Sequence, residues 1–177
     1  DQAVSRGLGD VYKRQIYYPV IDVAAHVYGT NSDEWQNEVN IFSEFLSRMI
    51  KIDSNRYTCI TADHGVVNIE DQNKFRLEYD ESVKIYGDQR AVYINGEVEK
   101  IEKVFKNVPG YFLKKEEIIS LLGTPNNEDI ENFYPEQIFL LDDGNIIFPN
   151  HLSANLKGYH GGISKTEVSI PLIEIVN

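Results

Sequence analysis

Five side chains in this sequence have the types and spacing to hold metal ions. They are Asp22 and His26 in YYPVIDVAAHVYG, Asp63 and His64 in TADHG, and His160 in GYHGG. Imidazole nitrogen and carboxylate oxygen are the donors that zinc and similar divalent ions accept in sites of low coordination number. A spacing of four lets Asp22 and His26 face one ion if that segment turns helically. Asp63 and His64 cannot point the same way from a strand, but at a strand end they can diverge around a metal. His160 lies among glycines, whose missing side chains let the backbone crowd a ligand. Each cluster alone is a common accident: D-x-x-x-H spacings arise by chance, and a lone loop histidine more often bonds to backbone. The three in order, with their flanking residues, carry the argument.

Those residues need elements to position them. The run Ile16 to Ile21, IYYPVI, is aromatic and β-branched and predicts a strand ending at Asp22. After the breakers Gly29-Thr30-Asn31, Ser32 reads as an N-cap, and Trp35, Val39, Phe42, Phe45, Leu46, Met49 and Ile50 recur at helical spacing to about Lys51. That apolar stripe reads as core. Tyr57 to Ala62, YTCITA, predicts a second buried strand that delivers Asp63-His64 at its carboxyl end. Strand, long helix and strand make a βαβ unit, which implies parallel strands and a right-handed crossover. In such sheets the working residues gather at the carboxyl ends of the strands.

From about Asn68 to Asn150 the chain turns polar and charge-mixed, and we read a small α+β insertion, at about 79–150. Its expected elements are a strand at Ala91 to Ile94, a helix at Val98 to Phe105 and a turn at Pro109-Gly110. A short helix at Lys114 to Leu122 follows, then a hairpin of Ile138 to Leu141 with Ile146 to Phe148 around Asp143-Gly144. Val168 to Val176 predicts a terminal strand. Asp1 to about Gln15 shows no periodicity and reads as a foreign leader, expected to be poorly ordered; the GLGD within it has no preceding strand and is a weak phosphate-loop signal. The remaining 16–177 reads as one unit.

Composition sets outer bounds. The 177 residues, 42% hydrophobic and 25% charged, suit a soluble globular chain able to bury a core. A formal net charge of -11 argues against nucleic acid as the main partner. It leaves a phosphate ester open, because two bound ions would add about four positive charges at the site itself. No run approaches the ~20 apolar residues of a membrane span. The lone Cys59 gives no internal disulfide, reads as a buried inert thiol, and makes cytoplasmic the default compartment. Asp142-Asp143-Gly144-Asn145 lacks the spacing of a calcium loop and reads as a turn, His151 reads as a surface residue, and Tyr17 and Tyr18 read as packing residues.

Taken together, the three motifs resemble the type I phosphodiesterase and nucleotide pyrophosphatase branch of the alkaline phosphatase superfamily, over about Ile16 to Asn177. The resemblance implies an α/β/α sandwich with a largely parallel sheet. It implies Asp22, His26 and His160 on one divalent ion, and Asp63 and His64 on a second, zinc before manganese. The implied substrate is a small phosphate ester or nucleotide, cleaved at a phosphodiester or pyrophosphate bond. In the family the second ion also takes an aspartate and a Thr or Ser nucleophile from an upstream segment. Neither Thr61 nor Ser164 matches that nucleophile's motif, so the chain is expected to be the C-terminal part of such a hydrolase and inactive alone. Other superfamily chemistries remain open, namely phosphomonoester or phosphonate hydrolysis and phosphomutase action. So does a noncatalytic metal-binding module.

Overall fold

The segment that opens the metal-ligand pattern is helical, although its aromatic and β-branched residues predict a strand. The computed structural model describes residues 14–51, 57–127, 130, 134–149 and 155–176. In it, 14–19 is irregular and helix α1 spans Val20–Tyr28. Pro19 stands at the N-cap with φ -82°, a value its ring permits at a helix start, and Val23 N donates to Pro19 O at 3.0 Å. Ala24 and Ala25 are buried, and Gly29 ends the helix at φ 88°, donating to Ala25 O at 2.9 Å. Tertiary packing on the small alanine face thus overrides β propensity. Tyr17 is 71% exposed, whereas Tyr18 stacks on Phe42 with ring centroids 4.9 Å apart.

Helix α2 spans Asp33–Lys51, and Ser32 caps it by accepting from Trp35 N at 3.2 Å. Its apolar stripe, expected to be core, buries no residue fully, and Ile41 and Phe45 are exposed. Strand β1, Tyr57–Thr61, pairs antiparallel with β10, Leu172–Val176, and among the described residues with nothing else. The expected βαβ unit is therefore not formed: its first strand is α1, and β1 has an antiparallel partner. Cys59, on this open two-stranded ribbon, is exposed rather than buried.

Short strands β2, Val67–Asn68, and β9, Gly158–Tyr159, pair antiparallel, and β3, Lys74–Leu77, pairs parallel with β8, Ile146–Pro149. The remaining strands are β4, Val83–Gly87, β5, Ala91–Gly96, β6, Gly110–Phe112, and β7, Gln137–Leu141. They form one antiparallel sheet in the order β4-β5-β7-β6. Helix α3, Val98–Phe105, and helix α4, Lys115–Leu122, lie where their periodicity places them. Val92, Ile94, Ile101, Phe105 and Phe139 close one core of this sheet; Ile118, Ile138 and Leu140 close another.

The expected hairpin of β7 and β8 is absent. Gly144, at φ 79°, makes the turn, but β8 leaves for β3 and β6 takes the place beside β7. The terminal strand is also shorter than expected, because Lys165–Val168 is a helical turn, α5, before β10 begins. The class is mixed α/β, with one parallel pair among mostly antiparallel ones in the described residues. His151 and residues 1–13, the GLGD segment included, lie outside the described residues.

Candidate metal centre

Three of the elements converge on one cluster. Asp22 and His26 sit one turn apart on α1, with His26 Nε2 3.5 Å from Asp22 Oδ2. Asp63 and His64 follow the end of β1, and His160 follows β9. The His64 and His160 rings stack at 3.6 Å between centroids, and His26 and His160 lie 5.2 Å apart. Asp22, His64 and His160 each offer one donor atom, and these atoms all lie within 4.8 Å of one another. Asp63 lies at the margin, its side chain 72% exposed. Its Oδ1 accepts from His64 N at 3.1 Å and is 3.8 Å from His64 Nε2.

The imidazoles share an orientation. His26 Nδ1 lies 2.8 Å from Gly158 O, and His64 Nδ1 lies 3.1 Å from Gly65 O. A carbonyl only accepts, so each Nδ1 carries a proton, and in the neutral ring each Nε2 keeps its lone pair. Metal-ligating histidines are commonly held this way, with the second ring N–H donated to a carbonyl or carboxylate. For His26 the consequence is direct: a lone-pair nitrogen faces a carboxylate oxygen, an arrangement that asks for a cation or a proton between them.

Asp22 supplies a second sign of the same need. Its Oδ1 is buried and has no hydrogen-bond partner among the described residues, which is costly for a carboxylate oxygen unless a cation meets it. Burial, then the neighbouring His64, lowers the His160 pKa below the usual imidazole value, with Asp88 acting against them. A neutral imidazole is the form that binds a metal. The donor set and its orphaned oxygen fit a divalent ion.

Close backbone approaches hold the cluster. Gly158 lies so near α1 that a side chain there would collide with Ala25 O, and Lys157 N donates to His26 O at 2.7 Å. A side chain on Gly65 would collide with Thr166 O, and Gly65 N donates to Glu167 O at 2.7 Å. Glu167 is itself buried and paired with buried Arg90 through two bonds, Nε to Oε1 at 2.6 Å and Nη2 to Oε2 at 2.8 Å. It also accepts from Gly162 N at 2.9 Å and Ser164 Oγ at 2.5 Å. Burial raises the Glu167 pKa, but these donors outweigh it and the net shift is downward.

Sequence reasoning does not single out Asp88 and Arg90. The available signal is the pair of glycines after His160, since two absent side chains in a row announce that something must come close.

A family model of the BREX system PglZ alkaline phosphatase-like domain matches residues 11–175. No curated protein sequence is significantly similar. Human ectonucleotide pyrophosphatase/phosphodiesterase 5 shares the fold at TM-score 0.66 and 19% identity, over 86% of this chain and 44% of that one. The murine protein does so at TM-score 0.62 and 20% identity, over 85% and 44%, and is also solved in an inactive form with AMP. Phosphonoacetate hydrolase from Sinorhizobium meliloti 1021 follows at TM-score 0.63 and 15% identity, over 86% and 43%. The chain thus spans under half the length of these structures. The likeness establishes an alkaline phosphatase-like α/β fold.

Proposed function

Because this chain belongs to the BREX system PglZ alkaline phosphatase-like domain family, we propose that it carries metal-binding residues of a phosphoric-ester hydrolase. In that reading the intact enzyme cleaves phosphodiester or nucleotide pyrophosphate bonds with two divalent ions, zinc before manganese. The observation that carries it is the buried Asp22 Oδ1, which has no partner among the described residues, on a carboxylate grouped with His26, His64 and His160. Asp22, His26 and His160 would hold one ion, and Asp63 and His64 would contribute to a second. His64 lies within reach of both groups, a closeness that suits ions about 4 Å apart.

Bound ions would clamp phosphoryl oxygens and lower the pKa of a coordinated hydroxyl. The chain's own residues prepare that site. Gly158 O and Gly65 O fix two imidazoles in the tautomer that leaves Nε2 free, and the α1 turn presents Asp22 beside His26. A nucleotide is the substrate class we favour, on the AMP complex of the murine neighbour. Among the described residues near the cluster, Ser164 Oγ donates to Glu167 and Thr61 Oγ1 to Ala62 O at 3.3 Å, and neither residue matches the motif of the family's nucleophile. The chain alone should therefore bind metal without hydrolysing nucleotides.

Zinc stoichiometry and affinity, measured on this chain and on H160A with circular dichroism on both, test the reading. At a free zinc level about 100 times the dissociation constant, the metal should stabilise the chain by about 2.7 kcal/mol, and H160A should lose that gain. A folded chain that takes up no tight ion would overturn the metal assignment.

A further inference from the structure

The two glycines after His160 are each matched to a charged group from the turn between β4 and β5. A side chain on Gly161, which has φ 99°, would collide with the Asp88 carboxyl. A Cβ on Gly162 would lie 2.8 Å from Glu167 Oε2 and 2.9 Å from Arg90 Nη2. Asp88 and Arg90 flank Gln89 in that turn. The turn is held in place by Ile147 N donating to Gln89 O at 3.1 Å and Leu141 N donating to Arg90 O at 3.2 Å. It is thus a rigid feature of the four-stranded sheet, pressed against the loop that carries His160.

We propose that Asp88 is a positioning residue for His160, doing with a carboxylate what Gly158 O does for His26 and Gly65 O does for His64. Asp88 Oδ2 is 3.7 Å from His160 Nδ1, longer than a hydrogen bond, so the role requires the ring to turn toward it. In that arrangement Nδ1 keeps the proton and Nε2 is free, so all three imidazoles expose the same atom. The buried Arg90–Glu167 pair supports it: Glu167 holds Gly162 N, two residues beyond His160, and Gly65 N donates to Glu167 O, one residue beyond His64. The carboxylate–histidine partnership is a recurrent way to fix the tautomer and raise the basicity of a ligand. The value of this to the protein rests on the metal reading above, but the tautomer does not.

The test uses Asp88→Ala and Asp88→Asn, since Asp88 is exposed and neither change empties a core. Histidine-selective nitrogen NMR on the metal-free chain at alkaline pH, with H160A assigning the signals, reads the His160 tautomer directly. The wild type is expected to be the Nδ1–H form. D88A should move it toward Nε2–H, and D88N, which keeps an acceptor oxygen, should restore it. Zinc affinity should fall about 10- to 100-fold in D88A and less in D88N. An unchanged tautomer in a folded D88A would overturn the assignment, as would unchanged zinc affinity in a chain that binds zinc. A tautomer switch in a chain that binds no zinc would uphold the positioning role while sinking the metal reading.

Discussion

The four-stranded sheet and the elements that carry the candidate ligands are built on opposite principles. In the sheet Ile94 and Ile138 are 0% exposed, as is Ile101 on α3, and two helices adjacent in sequence close the core. Among α2, β1 and β10 the apolar residues stay accessible: α2 buries none fully, while Leu172 is 68% and Val176 80% exposed. What holds the ligand-bearing part in register is polar and close-packed instead, through glycine contacts, carbonyl-tied imidazoles and a buried ion pair. The sheet accounts for stability, and the thin polar network accounts for geometry. Arg90 sits where the two meet, its backbone in the sheet's turn and its guanidinium on the His160 loop.

Breaking that junction should have the largest effect. Arg90→Met leaves the Glu167 carboxylate buried without its main partner, which costs about 3–5 kcal/mol in comparable pairs; urea unfolding measures it. Glu167→Gln keeps hydrogen-bonding atoms but leaves the buried Arg90 guanidinium without its counter-charge, and should cost a comparable amount. The pH dependence has a defined sign. The folded-state pKa of Glu167 is lowered, so its contribution is present above the ordinary carboxylate value and is lost as pH falls through the lower folded value. Acid unfolding should therefore gain a component below the usual carboxylate range that is absent in E167Q. A loss under about 1 kcal/mol in R90M, the scale of a surface pair, would show that the junction is incidental.

Next in size is the sheet's own core. Ile94→Ala should destabilise by about 2–5 kcal/mol, because a fully enclosed side chain leaves a cavity that its neighbours fill only in part. The same urea titration would detect it. If I94A lost little, the sheet would not be the stabilising region and the contrast with the ligand-bearing elements would fail.

The residues that cluster were legible because their types and spacing are local. Aspartate and histidine one helical turn apart, a strand-end Asp-His, and a histidine with glycines after it are readable as residue types. Helices such as Val98–Phe105 announced themselves by periodicity. The errors have a shared cause, which is that partners are not written in a strand's own residues. IYYPVI reads as a strand until Pro19 starts a helix whose alanine face packs close to β9. Ile146 to Phe148 reads as the second arm of a hairpin until β3 claims it. Cys59 reads as buried because β1 looks like a central strand, yet among the described residues it has one neighbour. Asp88 and Arg90 were invisible for the same reason, since their importance comes from a loop 70 or so positions away, as the Arg90 to Glu167 pairing at a separation of 77 illustrates.

The smallest expected effect is also the one that most sharpens the contrast. Phe45 belongs to the helical stripe of α2, stacks on Phe42 at 6.4 Å, and is 38% exposed. If apolar residues in this region contribute as those of the sheet do, Phe45→Ala should cost the 3–5 kcal/mol typical of a buried aromatic, roughly the range for core truncations. If the region is held by its polar network, the loss should stay within about 0.5 kcal/mol, the scale of surface substitutions. We expect the second outcome in this chain, by thermal or urea unfolding. The stripe's pattern nevertheless has the period of a buried face, and a Phe45→Ala loss near the upper figure would mean that α2 is already covered in solution. Stability would then be shared between the two regions, and the division of roles would hold only for the geometry of the metal centre.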